Sequence, residues 1–167
     1  MTSADTTMAT ELQTDLQKAG VAAGKDFAAG AGRSVFKDLG TLVEKGAEKM
    51  IRQCFRKPRK NVRPTKSRKV NVDFEVQIKD RLIALESKYQ IPKKGSEAMG
   101  RLVEQIQLAA AAGREVVIFS GKELGPRALA NRERMLRNLS GVDGLKVIGG
   151  FVEFGMWIAQ EAAGQCL

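Results

Sequence analysis

The sequence predicts a mixed α/β (α+β) domain whose sheet contains an antiparallel hairpin flanked by helices. Three observations carry this. Apolar and polar residues alternate strictly over 70–78 and a second alternating set runs from 83 to 91, apolar residues recur at three- and four-residue spacing over 35–55 and 96–112, and a short apolar run occupies 115–119. With 167 residues, 43% of them apolar, the chain can bury one core and is too short for two full domains. No apolar run reaches the length of a membrane span, and no basic-then-apolar segment of the Sec type opens the chain.

Residues 1–32 are rich in Ala, Gly and Thr and offer mostly single alanines to a core, so they are expected to form a flexible leader. The domain proper is expected over 33–167. Val35, Leu39, Leu42, Val43, Ala47, Met50 and Ile51 share one helical face, with Ser34 as N-cap. Pro58 and Pro64 cannot continue that helix and mark a connector with room for a short edge strand. Val70, Val72, Phe74, Val76 and Ile78 then fall on one side of a strand, with Asn71, Asp73, Glu75 and Gln77 on the other. After Lys79-Asp80 a second strand alternates from Ile83 to Ile91, which makes a hairpin.

Ser96 caps a helix running to about Ala112, with Met99, Leu102, Val103, Ile106 and Ala110 inward, and Gly113 ends it. Glu115–Phe119 reads as a strand covered on both faces. Pro126 opens a helix to about Leu139 that carries Arg127, Arg132, Arg134 and Arg137. Those arginines suit plain surface better than phosphate contacts. Leu145–Trp157 is expected to be one or two strands kinked at Gly149-Gly150.

Charge is concentrated. The net charge is +9, and the interval 49–69 holds ten Lys and Arg residues and no acid, which accounts for the whole excess. A connector of this kind repels itself and attracts a polyanion, so Arg56, Lys57, Arg59, Lys60, Arg63, Lys66, Arg68 and Lys69 are candidate nucleic-acid contacts. An acidic protein partner could use the same charge. With no histidine and two cysteines, Cys54 and Cys166, the common zinc sites, a Ser-His-Asp triad and a disulfide framework are all excluded. Catalysis would have to use carboxylates, lysine or a hard metal.

If the hairpin turns symmetrically about Lys79-Asp80, Val76 faces Ile83, Phe74 faces Leu85 and Asp73 faces Glu86. One polar face then presents Asp73, Glu75, Glu86 and Lys88, with side chains about 5 Å apart across the pair. Opposed carboxylates call for a cation or a raised pKa. A divalent metal of the Mg²⁺ type is held by one or two carboxylates plus water and phosphate, and a nearby ammonium can orient the attacking water.

Asp73, twelve intervening residues, then Glu86-Ser87-Lys88, on neighbouring strands followed by a helix and a buried strand, resembles the PD-(D/E)XK nuclease superfamily over 35–120. The tripeptide Glu-x-Lys occurs once, about as often as chance allows, so its context carries the weight. The resemblance implies a restriction-endonuclease-like core and a metal-dependent endonuclease, a hydrolase of phosphodiester bonds using Mg²⁺ (or Mn²⁺). It assigns Asp73 and Glu86 as metal ligands and Lys88 as the catalytic lysine. It also implies a helix-one glutamate, Glu48 or Glu44, and a polar residue on the following helix, Gln105. Val72 stands where the family motif has proline, a position that varies within it.

A small-residue leader joined to a compact nuclease domain is also similar to C-terminal toxin domains of interbacterial competition systems. That likeness implies an effector exported by a dedicated system, active in the target-cell cytoplasm and neutralised by an acidic immunity protein. The substrate is DNA, which is favoured, or tRNA. The alternatives are a repair- or phage-type nuclease that is not a toxin, and a non-catalytic basic nucleic-acid-binding module.

Overall fold

The computed structural model describes residues 3–28, 34–55, 58–62 and 71–162. Among them, five helices and five strands form three layers. The strands lie in chain order across one sheet: β1 (Arg59–Val62), β2 (Val72–Ile78), β3 (Arg81–Lys88), β4 (Glu115–Ser120) and β5 (Lys146–Gly149). The first three pair antiparallel, and β3, β4 and β5 run parallel. Helices α1 (Ser3–Ala28), α2 (Ser34–Cys54) and α5 (Phe151–Glu161) pack on one face of the sheet, and α3 (Glu97–Ala111) and α4 (Pro126–Ser140) pack on the other. No described helix is long and apolar enough to cross a membrane.

The hairpin has the expected register, with Val76 opposite Ile83 and Phe74 opposite Leu85. Its turn holds Lys79 at φ 54°, a left-handed conformation that costs an L-residue about 1 kcal/mol. Replacing Lys79 by glycine relieves this at some cost in unfolded-state entropy. A gain of roughly 0.5 kcal/mol in urea denaturation is expected; a loss would mean that the turn is not strained.

Strand β4 is buried on both sides as its apolar run requires: Val117 and Phe119 enter the core under α1, α2 and α5, while Val116 and Ile118 enter the core under α3 and α4. Ser96 caps α3, its hydroxyl accepting from the Met99 amide at 3.1 Å. The cap at Ser34 and the inward place of Val35 concern side chains outside the described set.

Two expectations need correction. Residues 3–28 are a helix rather than a leader, with Ala9, Leu16 and Ala23 buried at seven-residue intervals. A stripe that narrow needs little apolar content, because small side chains let the backbone approach its neighbours. Gln13 locks the contact: its amide donates to the Gly121 carbonyl at 3.0 Å, and its carbonyl accepts from the Phe151 amide at 2.7 Å. The second correction is at the C-terminal end, where β5 stops at Gly149 and α5 follows instead of a further strand. Gly150 sits at φ 86° and turns the chain. Phe151, Phe154, Gly155, Trp157 and Ile158 then form one helical face, with Phe119 stacked on Phe154 at 4.3 Å between ring centroids.

Candidate metal centre

The N-terminal end of β2 and the C-terminal end of β3 open into a groove of about 460 Å³ roofed by the first half of α2. Asp73, Glu86, Lys88 and, from the helix, Lys37 and Glu44 line it. Regular pairing extends from the turn to Phe74–Leu85, and beyond it the two acidic side chains bind backbone groups across the gap. Glu86 Oε2 accepts from the Asp73 amide at 3.1 Å. Asp73 Oδ2 accepts from both the amide and the hydroxyl of Ser87, at 2.9 and 2.7 Å. Each carboxylate is thus oriented through one oxygen. Asp73 Oδ1 makes no hydrogen bond among the described residues, and Glu86 Oε1 has only Lys88 Nζ at 3.5 Å.

The electrostatics follow from depth. Glu86 is 5% exposed and forms the floor of the groove, while Lys88 stands higher, with a third of its side chain exposed. Burial, and then the Asp73 charge, push the Glu86 carboxyl up to about 8 against a pull from Lys88 in the other direction. Burial and Asp73 likewise raise Glu44, with Lys60 opposing.

Of the two helix-one glutamates, Glu44 faces the groove. Glu48 lies one turn further along α2, where Lys60 Nζ reaches it at 2.7 Å and Arg52 at 2.9 Å, and these bonds hold its carboxyl below the ordinary range. Of the two candidates, Glu44 lines the groove and Glu48 does not. Choosing between them requires knowing that β1 delivers Lys60 to Glu48, which no local pattern encodes. Glu75 also leaves the expected polar face. It is buried and clamped by Arg59 and Arg114, each at 3.0 Å, beneath a separate cavity. Gln105 is not in the groove wall. Its amide donates to the Asn71 carbonyl at 2.8 Å, tying α3 to the segment that leads into Asp73, and its buried Oε1 has no partner among the described residues.

The basic connector divides in two. Arg59 and Lys60 pair with Glu75 and Glu48, but each of those carboxylates is shared with a second cation, Arg114 or Arg52, and both basic side chains stay exposed, so positive charge remains at the surface here. Arg56, Lys57, Arg63, Lys66, Arg68 and Lys69 lie outside the described residues. On α4, Arg137 is spent on the Leu145 carbonyl and Glu133, as a structural arginine.

No set of three or more His, Cys, Asp or Glu side chains among the described residues is gathered tightly enough to form a metal cage. The donor set is the pair Asp73 and Glu86, with Glu44 above it. Two oriented carboxylates, one with an oxygen unpartnered among the described residues and one turned to Lys88, suit a hard cation that keeps most of its water, and do not suit a zinc site. Comparison with protein-family models, with curated proteins and with solved structures finds no match for this chain.

Proposed function

We propose that the protein is a metal-dependent nuclease with a restriction-endonuclease-like core. The observation that carries the reading is the paired presentation of Asp73 and Glu86, each fixed through one oxygen, with Asp73 Oδ1 unpartnered among the described residues and Glu86 Oε1 turned to Lys88. The chain order supports it as well: the two acidic strands are followed by a helix and by the doubly covered β4, and β1 supplies an edge strand beside β2.

Asp73 and Glu86 would hold the cation, Mg²⁺ or Mn²⁺, and Glu44 would add negative charge to the same groove. When bound, that cation lowers the pKa of a coordinated water and neutralises charge on the scissile phosphate. Lys88 holds the attacking water by hydrogen bonding and offsets the negative charge that builds on the phosphoryl oxygens. Lys37, on the groove wall, adds a contact for a neighbouring phosphate.

A binding-only module would explain the basic connector and leave the oriented carboxylate pair without a role. The toxin reading, with its acidic immunity partner, drew on a leader-plus-domain layout. Because α1 is packed into the core, what still favours that reading is the basic excess over 49–69.

The experiment is incubation of the purified chain with plasmid DNA and with total tRNA, each with Mg²⁺ and with EDTA. Strand cleavage that EDTA abolishes is expected, with Glu44→Gln slowing it by about tenfold and Glu48→Gln leaving it unchanged. Binding of nucleic acid with no cleavage in Mg²⁺ or Mn²⁺ would establish the binding module instead.

A further inference from the structure

We propose that the cavity between α1 and the C-terminal ends of β3 and β4 is a subsite for one unpaired nucleobase of the strand whose phosphodiester lies in the adjoining groove. This rests on the nuclease reading and adds to it a substrate preference, single-stranded or locally unpaired nucleic acid over continuous duplex.

The cavity measures about 440 Å³ and shares a wall with the carboxylate groove, since Tyr89 lines both. Tyr89 packs partly against the core, which fixes the ring, and its hydroxyl makes no hydrogen bond among the described residues. The opposite wall is α1. A Cβ at Gly20 would come within 2.8 Å of Tyr89 Oη, so glycine is what lets the ring lie against the helix. Beside it Val21 is 62% exposed, leaving an apolar side chain uncovered in the cavity that Tyr89 also lines.

Charge completes the pattern. Lys122 is placed by its own amide, which donates to the Tyr89 carbonyl at 2.8 Å, and its exposed ammonium has no acidic partner among the described residues. A slot with Lys122 in its lining, next to a groove that carries Lys88, matches the alternation of flat base and anionic phosphate along a strand. Glu123, also at the rim, disfavours a second phosphate there and can accept from the exocyclic amine of a base. A base stacked within a duplex cannot enter such a slot without being unpaired.

The test uses the full chain in EDTA and fluorescein-labelled short single strands, one DNA and one RNA, with an abasic site moved through each position. Fluorescence anisotropy is expected to show one position at which base loss weakens binding about tenfold more than elsewhere. Val21→Glu, at an exposed position that the fold tolerates, is expected to erase that difference, as is Tyr89→Ala. Equal sensitivity at all positions, or wild-type discrimination in Val21→Glu, would overturn the subsite. If Mg²⁺-dependent cleavage persists while base loss has no local effect, the subsite alone falls. If the probes do not bind and neither plasmid DNA nor tRNA is cleaved in Mg²⁺, the nuclease reading falls and takes the subsite with it.

Discussion

Glu86→Gln is expected to abolish Mg²⁺-dependent cleavage, by at least about 10³-fold, while making the metal-free protein more stable at pH 8. Both effects have one cause. Burial and the neighbouring Asp73 raise the Glu86 carboxyl from 4.5 to about 8, so over that interval the folded chain holds a proton that the unfolded chain has released. Stability from this group is complete below about 4.5 and is lost as pH rises through about 8. The glutamine is neutral throughout and can still accept from the Asp73 amide, so it avoids a cost on the order of a few kcal/mol at the alkaline end.

Metal binding requires the ionised carboxylate, so wild-type affinity for Mg²⁺ should climb with pH, by up to tenfold per unit below about 8, with release of a proton. Lys88→Ala should also abolish cleavage and should shift that profile upward, because Lys88 is what pulls the Glu86 carboxyl down. The measurements are cleavage rate, thermal melting at two pH values and calorimetric titration of Mg²⁺. Chelator-sensitive cleavage surviving in Glu86→Gln would reject the metal-ligand assignment.

Removal of residues 1–28 is expected to leave a chain that does not fold to a cooperative unit. Without α1 the Leu16 contact to the core is gone, and the Gly121 carbonyl and Phe151 amide lose their Gln13 partner. A single Gln13→Ala change tests the same contact more gently. Stranding two buried backbone groups should cost about 2–4 kcal/mol in urea denaturation. A leader would behave differently, since its deletion would leave the melting curve unchanged.

The contrast between the hairpin and α1 shows where the sequence was informative. Alternation on either side of Lys79-Asp80 fixes both face and register, because a one-residue slip would turn Phe74, Val76, Ile83 and Leu85 together out of the core under α1, α2 and α5. Helix α3 was equally legible, since a cap, an apolar stripe and a terminal glycine agree. Helix α1 was hidden by its chemistry: two alanines, one leucine and one buried glutamine give a weak apolar signal, and the partners of Gln13 lie 108 and 138 residues away. Helix α5 was misread because Val152, Glu153 and Phe154 suit an extended chain as well as a helix, and only the turn at Gly150 decides. In the groove, Asp73, Glu86 and Lys88 were readable from pairing, whereas the choice of Glu44 over Glu48 depends on a salt bridge supplied by β1.

The clasp between Gln13 and the start of α5 also sets a timetable for biogenesis. Helix α1 leaves the ribosome early and must wait for Phe151 before its anchor exists. Until then its docking surface is incomplete, and the long-range closure makes assembly a late event. A nascent chain would carry the acidic hairpin without the wall that α1 builds beside Tyr89, so the finished cleft would arise only once translation had passed α5.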